Sequence, residues 1–233
     1  MNDELGFVLH SHPYKETSLI VELFLRERGR VAVVAKGARR PTSALRPVLL
    51  QFQPIECRLS GRSELRTLTR AEWVGGLGVP KGRALWFSFY LNELLMRLLA
   101  REDPHPRLFD AYYEALDTLA TDGPGEAVLR RFEWLLLQEI GYAPDLCRDH
   151  AGQPIEAGCH YRIHDGQWHA LPPAGVADAA TFSGQAIQHI AGGRYDAPGV
   201  LSQAKRLSRL MLGTPLEGAA LHTRRILLDL QGL

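Results

Sequence analysis

The chain has 233 residues, of which 45% are apolar and 23% are charged, an ordinary composition for one or two globular domains with a sizeable core. Three scattered cysteines are too few for a disulfide framework, and polar residues interrupt the most apolar run, 84–100, which argues against a membrane span. The N-terminus lacks a basic segment before an apolar one, so we expect no signal peptide and a cytoplasmic protein.

The small net charge of +1 conceals an uneven distribution along the chain. Residues 1–80 contain 12 Lys and Arg against 8 Asp and Glu, a balance of +4, whereas residues 81–233 contain 15 against 18, a balance of −3. The excess is concentrated in residues 26–46, which hold seven basic residues and one acid. A basic segment attracts a polyanion when it is held on a folded frame, although a run of charge is often only a solvated surface.

Residues 5–71 show the pattern of five short strands separated by turns, predicted at 5–9, 19–25, 31–35, 50–59 and 64–71. In the second strand, apolar residues alternate with Glu22 and Phe24, which face the other way. In the fifth, Leu65 and Leu68 break the strict alternation, which indicates a β-bulge. Five strands with basic and aromatic interruptions suit a small closed barrel of the oligonucleotide-binding type.

Cations flank the third of these strands on both sides. The strand itself, 31–35, is apolar and mostly β-branched, which is typical of a buried strand. Before it, Gly29 is a turn residue that tolerates positive φ; after it, the loop 36–41 cannot bury its charges. This arrangement predicts positive charge held on a rigid frame.

A glycine-rich segment, 75–82, separates the strands from a region with helical periodicity. Its glycines fit neither a Rossmann nor a Walker spacing, and Pro80 would break the required helix start, so we interpret the segment as a hinge. Beyond it, the apolar pattern predicts helices at 84–100, 108–120, 126–140, 183–191, 200–212 and 217–230. The pair Asp165-Gly166 indicates a hairpin at 160–170.

The third predicted helix, 126–140, carries a complete apolar face and a tryptophan on the opposite one. Arg130 and Arg131 flank this residue, Trp134, so the three side chains together could receive a peptide that is both apolar and acidic. The alternative is that another helix covers Trp134, and the sequence does not decide between the two.

Cysteines and histidines recur in the irregular segment 145–171. Cys147 and His150 have the spacing of half a zinc site, and Cys159 is a further potential ligand. No second tight pair completes the set, however, so we predict no metal, and these three residues are the first to test if one binds. The chain also lacks the motifs of a hydrolytic nucleophile and of a zinc protease, which argues against an enzyme.

The chain resembles the RecO family of bacterial DNA repair and recombination mediators along nearly its whole length. The resemblance is strongest in the first 75 residues, and the segments that carry it are Gly6–His10, Tyr14–Ser18, Gly29–Val31, Ala35–Arg40, Leu49–Pro54, Leu65–Glu72, Leu129–Glu133, Gly141-Tyr142 and, more loosely, His222–Leu227.

This resemblance implies an N-terminal oligonucleotide-binding barrel and a helical C-terminal domain. It implies binding to single- and double-stranded DNA, annealing of complementary strands, and cooperation with RecR in loading the recombinase RecA. It also implies binding to the acidic, apolar C-terminal tail of single-stranded DNA-binding protein. Many members hold zinc with two Cys-x-x-Cys pairs; here Cys147 has His150 at its partner position and the later pair is missing.

We therefore predict an α+β protein of two domains, a five-stranded barrel at 1–79 and a mainly helical domain at 80–233, which acts as a nucleoid-associated DNA-binding mediator without a cofactor. The predicted phosphate contacts are Arg28, Arg30, Lys36, Arg39, Arg40, Arg46, Arg66 and Arg70. The predicted contacts of the acidic tail of single-stranded DNA-binding protein are Arg130, Arg131 and Trp134. The competing hypotheses are an adaptor whose barrel binds acidic proteins, and a metal-dependent enzyme that uses segment 147–169.

Overall fold

The computed structural model describes residues 3–61, 65–121, 123, 125–172, 178, 180–223 and 225–226. The chain forms two compact units: the first comprises Met1–Gly125 and Ala220–Leu233, and the second comprises Glu126–Ala219. The boundary at residue 79 between a barrel domain and a helical domain stays a prediction. No helix among the described residues is long and apolar enough to cross a membrane.

The first unit contains a closed five-stranded barrel, as predicted. Its strands are β1 (Glu4–Tyr14), β2 (Ser18–Leu25), β3 (Gly29–Ala35), β4 (Pro54–Ser60) and β5 (Arg66–Trp73). They pair in the order β1-β2-β3-β5-β4, with β4 returning to β1. The β3–β5 pair is parallel and the other pairs are antiparallel. Inward apolar side chains of all five strands fill the barrel, with Val33 and Ile55 completely buried.

Two helices of the first unit cover part of the outer surface of the barrel. They are α1 (Gly82–Leu98) and α2 (Pro106–Ala120), the latter with proline in its first turn. The ring of Phe24, on the outer face of β2, lies 5.4 Å from that of Phe109 in α2. Because both faces of β2 are covered, the outward residues Glu22 and Phe24 are buried as well.

The turn between β2 and β3 requires a glycine. Gly29 has a φ of 67°, and a Cβ atom there would lie 1.8 Å from the carbonyl oxygen of Asp103. The segment that follows α1 therefore runs directly against β3, where the amide of Glu102 donates to the carbonyl of Arg30 at 2.9 Å. Any larger residue at position 29 would push this segment away.

Two β-bulges shape the barrel, one in β5 and one in β1. In β5, Arg58 pairs with Arg70 and Leu59 with Leu68, so Thr69 is the extra residue. This confirms the bulge predicted for the fifth strand, whereas the bulge in β1 was not predicted.

The β1 bulge occurs at Leu9, because Val8 pairs with Leu23 whereas His10 pairs with Glu22. The carbonyl of Leu9 accepts hydrogen bonds from Asn92 Nδ2 of α1, at 2.9 Å, and from the side chain of Gln51. The Asn92 side chain in turn accepts a hydrogen bond from the hydroxyl of Tyr112 in α2. Asn92 thus faces the barrel from α1 and bonds directly to the bulge.

A carboxylate of α1 also binds the returning end of the chain. Glu93 accepts hydrogen bonds from the amides of His222 and Thr223, at 2.8 and 2.9 Å, and from the Thr223 hydroxyl at 2.6 Å. Arg97 lies 3.0 Å from the same carboxylate. Burial opposes ionisation of Glu93, but the hydrogen bonds and Arg97 outweigh it and lower the pKa of this carboxyl. This contact joins the two stretches of sequence that make up the first unit.

The second unit combines helices with a small sheet. Its helices are α3 (Gly125–Glu139), α4 (Gly184–Ala191) and α5 (Val200–Gly213); its strands are β6 (His160–His164), β7 (Gln167–Ala170) and β8 (Thr181–Ser183). Asp165 and Gly166 both have positive φ, 47° and 73°, which confirms the predicted hairpin and its tight turn. Strand β8 was not predicted, and the sheet order is β7-β6-β8.

The last predicted helix, 217–230, extends beyond the described residues. Within it, the described backbone turns at 217–218 and is helical at 222–223 and 225–226. Residues 62–64, between the fourth and fifth strands, likewise lie outside the described residues.

Candidate nucleic-acid interface

The loop after β3 is held firmly at both of its ends. Ala38 and Leu49 are buried in the barrel core. Between them the chain makes successive turns, with the amide of Arg40 donating to the carbonyl of Gly37 at 3.0 Å and that of Ser43 to Arg40 at 3.0 Å. The amide of Arg39 donates to the carbonyl of Thr17, in the turn between β1 and β2, at 2.9 Å. Polar side chains of this loop therefore project from a fixed backbone.

Four predicted phosphate contacts lie on this loop and are exposed: Lys36, Arg39, Arg40 and Arg46, which we call the loop cations. The Arg39 guanidinium donates to the carbonyls of Lys15 and Glu16, at 3.4 and 3.1 Å. Among the described residues, none of the loop cations has a carboxylate within ion-pair distance. Their charge is consequently available to an anionic ligand.

The two predicted contacts at the start of β3 have internal partners. Arg28 Nε lies 2.8 Å from Glu4 Oε1. Arg30 donates to the carbonyl of Leu99 at 3.1 Å, lies 3.6 Å from Glu22, and has a side chain only 16% exposed. Burial lowers the pKa of Arg30, against the opposing effect of Glu22. These residues lie at the end of β3 opposite to Lys36, roughly 20 Å along the strand.

The two predicted contacts on β5 are also ion-paired. Arg66 lies 3.0 Å from Glu102 and its side chain is only 16% exposed. Arg70 lies 2.7 Å from Glu72 and 3.6 Å from Asp3, and the hydrogen bond with Glu72 raises its pKa. The structure thus separates the eight predicted residues into four loop cations without a carboxylate partner among the described residues and four arginines that already have one.

A row of rings that the sequence analysis did not assign to a strand lies on the outer face of β1. Along this face His10 and His12 are exposed and Tyr14 is partly exposed. The imidazole centroids of His10 and His12 are 6.2 Å apart with an interplanar angle of 30°. Lys15 Nζ lies 5.3 Å from the centroid of the Tyr14 ring. The alternation His-x-His-x-Tyr was the available signal, since it has the period of a strand.

The structure decides between the two alternatives that the sequence left open for the face of α3 that carries Trp134. Trp134 is 9% exposed and Arg130 is 7% exposed, so the alternative that this face is covered is the one observed. Arg130 pairs with the buried Glu133 at 2.6 Å. Arg131 is exposed and donates to the carbonyl of Gly193 at 3.3 Å, and burial raises the pKa of the nearby Tyr195 to about 12. The segment after α4 therefore runs beside this part of α3.

The cysteine and histidine positions of the second unit are not brought into one ligand set. Cys147 is exposed, and Cys159 Sγ lies 3.6 Å from a Glu156 carboxylate oxygen. The ring of His150 stacks directly on that of His169, with centroids 4.0 Å apart. In the part of the chain that the structure describes, no three His, Cys, Asp or Glu side chains are arranged to hold a metal ion.

Comparison with known proteins covers both units. Residues 1–77 match the family model described as Recombination protein O N terminal, and residues 81–224 match Recombination protein O C terminal. The chain is 46% identical over 235 residues to the DNA repair protein RecO of Ralstonia nicotianae, covering 100% of this chain and 86% of that one. It is 48% identical over 239 residues to the protein of the same name from Polynucleobacter asymbioticus, covering 98% and 96%. The corresponding protein of Thiobacillus denitrificans is 44% identical over 242 residues, covering 100% and 94%.

Proposed function

The chain belongs to the RecO family of DNA repair proteins, and from this premise we propose that it is a non-enzymatic mediator of recombination that binds DNA through the loop cations. The observation that carries the proposal is the exposure of Lys36, Arg39, Arg40 and Arg46 on a fixed loop, without carboxylate partners among the described residues. Cations placed in this way gain free energy from the release of counterions by a phosphate backbone.

The four ion-paired arginines have a secondary place in this proposal. Arg28 and Arg70 are partly exposed and can exchange a carboxylate for a phosphate. Arg30 and Arg66 are mostly buried, so a phosphate would have to displace Glu22 or Glu102 from them. We therefore assign the main phosphate contacts to the loop cations and expect the four arginines to contribute less.

Binding through phosphates accounts for the further activities proposed here. A surface that contacts the backbone and not the base edges accepts single and double strands with little sequence preference. When two complementary strands are neutralised on one basic surface their mutual repulsion falls, so that their bases can pair; this is the proposed annealing activity. Membership of the family supports two further parts of the proposal, recombinase loading on DNA covered by single-stranded DNA-binding protein and cooperation with RecR.

Binding of the acidic tail of single-stranded DNA-binding protein remains a proposal, but the residues proposed to contact the tail have changed. Of the three predicted contacts, only Arg131 is exposed, so a carboxylate can reach Arg131 without unfolding α3, but cannot reach Arg130 or Trp134. The tail's apolar residues need another surface, and the proposal no longer includes the indole ring of Trp134.

Removing two loop cations tests the DNA-binding proposal. Arg39→Ala with Arg40→Ala should weaken the binding of a single-stranded oligonucleotide and reduce the slope of log affinity against log salt by about 0.7 for each phosphate that the variant no longer neutralises. Arg26→Ala is the matched control, because Arg26 is an exposed arginine already paired with Asp110 and Glu27.

An unchanged slope in the double variant would remove this loop from the interface. The adaptor hypothesis predicts a different result. The wild-type protein would bind acidic proteins, but its affinity for oligonucleotides of mixed sequence would not depend steeply on salt concentration.

A further inference from the structure

The bulge at Leu9 determines which side chains of β1 face outward. Val8 faces the barrel interior, and a regular strand would next place His10 inward. The extra residue reverses this, so that His10 pairs with Glu22, His12 with Ile20 and Tyr14 with Ser18, on the outer face of the sheet. The bulge therefore exposes three rings in a row.

These rings have no evident structural role. His10 and His12 lie at the surface, and neither imidazole forms a hydrogen bond within the described part of the chain. The other end of the row is basic. Lys15 follows Tyr14, and the guanidinium of Arg39 binds the carbonyls of the same turn. Lys36 lies on the same outer face as Tyr14, since the preceding Ala35 pairs with the inward Leu19.

The gap between the two imidazoles is nearly wide enough for a flat ring. Their centroids are 6.2 Å apart and their planes are within 30° of parallel. Twice the stacking distance of about 3.4 Å between neighbouring bases is about 6.8 Å, so a small outward rotation of one side chain admits a base. The rings of His150 and His169 provide a contrast in the same protein, because their centroids are 4.0 Å apart and leave no such gap.

We propose that an unpaired nucleobase inserts between His10 and His12 and that the adjacent base stacks on Tyr14, while the loop cations hold the phosphates. This inference rests on the proposed DNA-binding function and adds a preference to it. Bases in a duplex are already stacked on one another and cannot enter the gap, whereas those of a single strand can. The row therefore favours single strands over duplexes.

The test compares stacking with charge. His10→Ala with His12→Ala should weaken the binding of a single-stranded oligothymidine by about 5- to 150-fold, the range for loss of one stacked base. Binding to a duplex of equal length, and the slope of log affinity against log salt, should stay unchanged. His12→Phe keeps the ring without the imidazole nitrogens and should retain single-strand binding. His164→Ala is the matched control, because His164 is an exposed histidine of the second unit.

Each outcome separates this inference from the proposed function. Equal losses on single strands and duplexes, together with a smaller salt slope and no rescue by His12→Phe, would show that the histidines contact phosphates and would overturn base insertion. Full single-strand binding by the histidine double variant would also overturn it, while a loss in Arg39→Ala with Arg40→Ala would leave the proposed function intact. Failure of the wild-type protein to bind either form of DNA would overturn both.

Discussion

Replacement of Asn92 by alanine tests how the barrel and its helices hold the β1 bulge. Asn92 is 3% exposed and joins three elements, since it donates to the carbonyl of Leu9 in β1 and accepts from the hydroxyl of Tyr112 in α2. Burial raises the pKa of Tyr112 well above its ordinary value, so its hydroxyl keeps its proton as a donor throughout the accessible pH range.

The size of the effect follows from these hydrogen bonds. Asn92→Ala removes two buried hydrogen bonds: loss of the bond to Leu9 costs about 0.5–1.5 kcal/mol, and loss of the bond from Tyr112, which takes an acceptor from a buried hydroxyl, costs about 1–3 kcal/mol. Leu9 keeps its bond from Gln51, which limits the loss on that side. We expect the free energy of unfolding to fall by about 2–4 kcal/mol in total.

Urea-induced unfolding, followed by near-ultraviolet circular dichroism, measures this change. Ser88→Ala is the matched control, because Ser88 is buried on the same helix and its hydroxyl donates within that helix, to the carbonyl of Ala84 one turn earlier. It should cost less than about 1 kcal/mol. If Asn92→Ala were no more destabilising than Ser88→Ala, the bulge would not depend on this side chain and our account of it would be refuted.

Two further predictions concern stability. Because the pKa of Glu93 is lowered in the folded state, its ionised carboxylate stabilises the fold at pH values above the unfolded pKa. This contribution is lost as pH falls through the folded pKa. The free energy of unfolding of Glu93→Gln, measured from acidic to neutral pH, should therefore decrease less on acidification than that of the wild-type protein. An equal decrease in both proteins would contradict the role given to Glu93. Trp134→Ala should destabilise the protein by about 3–5 kcal/mol, because it empties a buried site. Arg131→Ala should change stability by less than about 0.5 kcal/mol; similar unfolding curves for the two variants would show that Trp134 is not part of the core.

Alternation of apolar residues was enough to predict the barrel, because its inward side chains recur with the period of a strand. Strand β1 was predicted too short, since its second half carries polar rings outward and contains Pro13, which is rare inside strands. The bulge at Leu9 also breaks the alternation at the point where the predicted strand ends. Its stabilising partner, Asn92, lies 83 residues away in sequence, so no local pattern could reveal it.

The surroundings of the proposed interface residues were also not evident from the sequence, for the same reason. A count of basic residues treats Arg30 and Lys36 alike, although a cross-strand carboxylate and a backbone carbonyl engage the first and leave the second exposed. Helical periodicity likewise shows which face of α3 can join a core but not what covers the other face. Trp134 is buried, and residues 193–195 return close to Arg131 on the same helix, a contact between distant parts of the sequence that no local pattern shows.

The bond between Glu93 and the residues at 222–223 has a consequence for how the chain is made. The first unit is assembled from two stretches of sequence, with all of the second unit inserted between them. During synthesis the barrel, α1 and α2 leave the ribosome about a hundred residues before positions 222–223. Until those residues emerge, Glu93 lacks the two amides that it binds in the folded protein. The same arrangement matters after cleavage: a protease that cuts within residues 126–219 would leave the two pieces of the first unit without a covalent link, so that they would depend on non-covalent contacts such as this one.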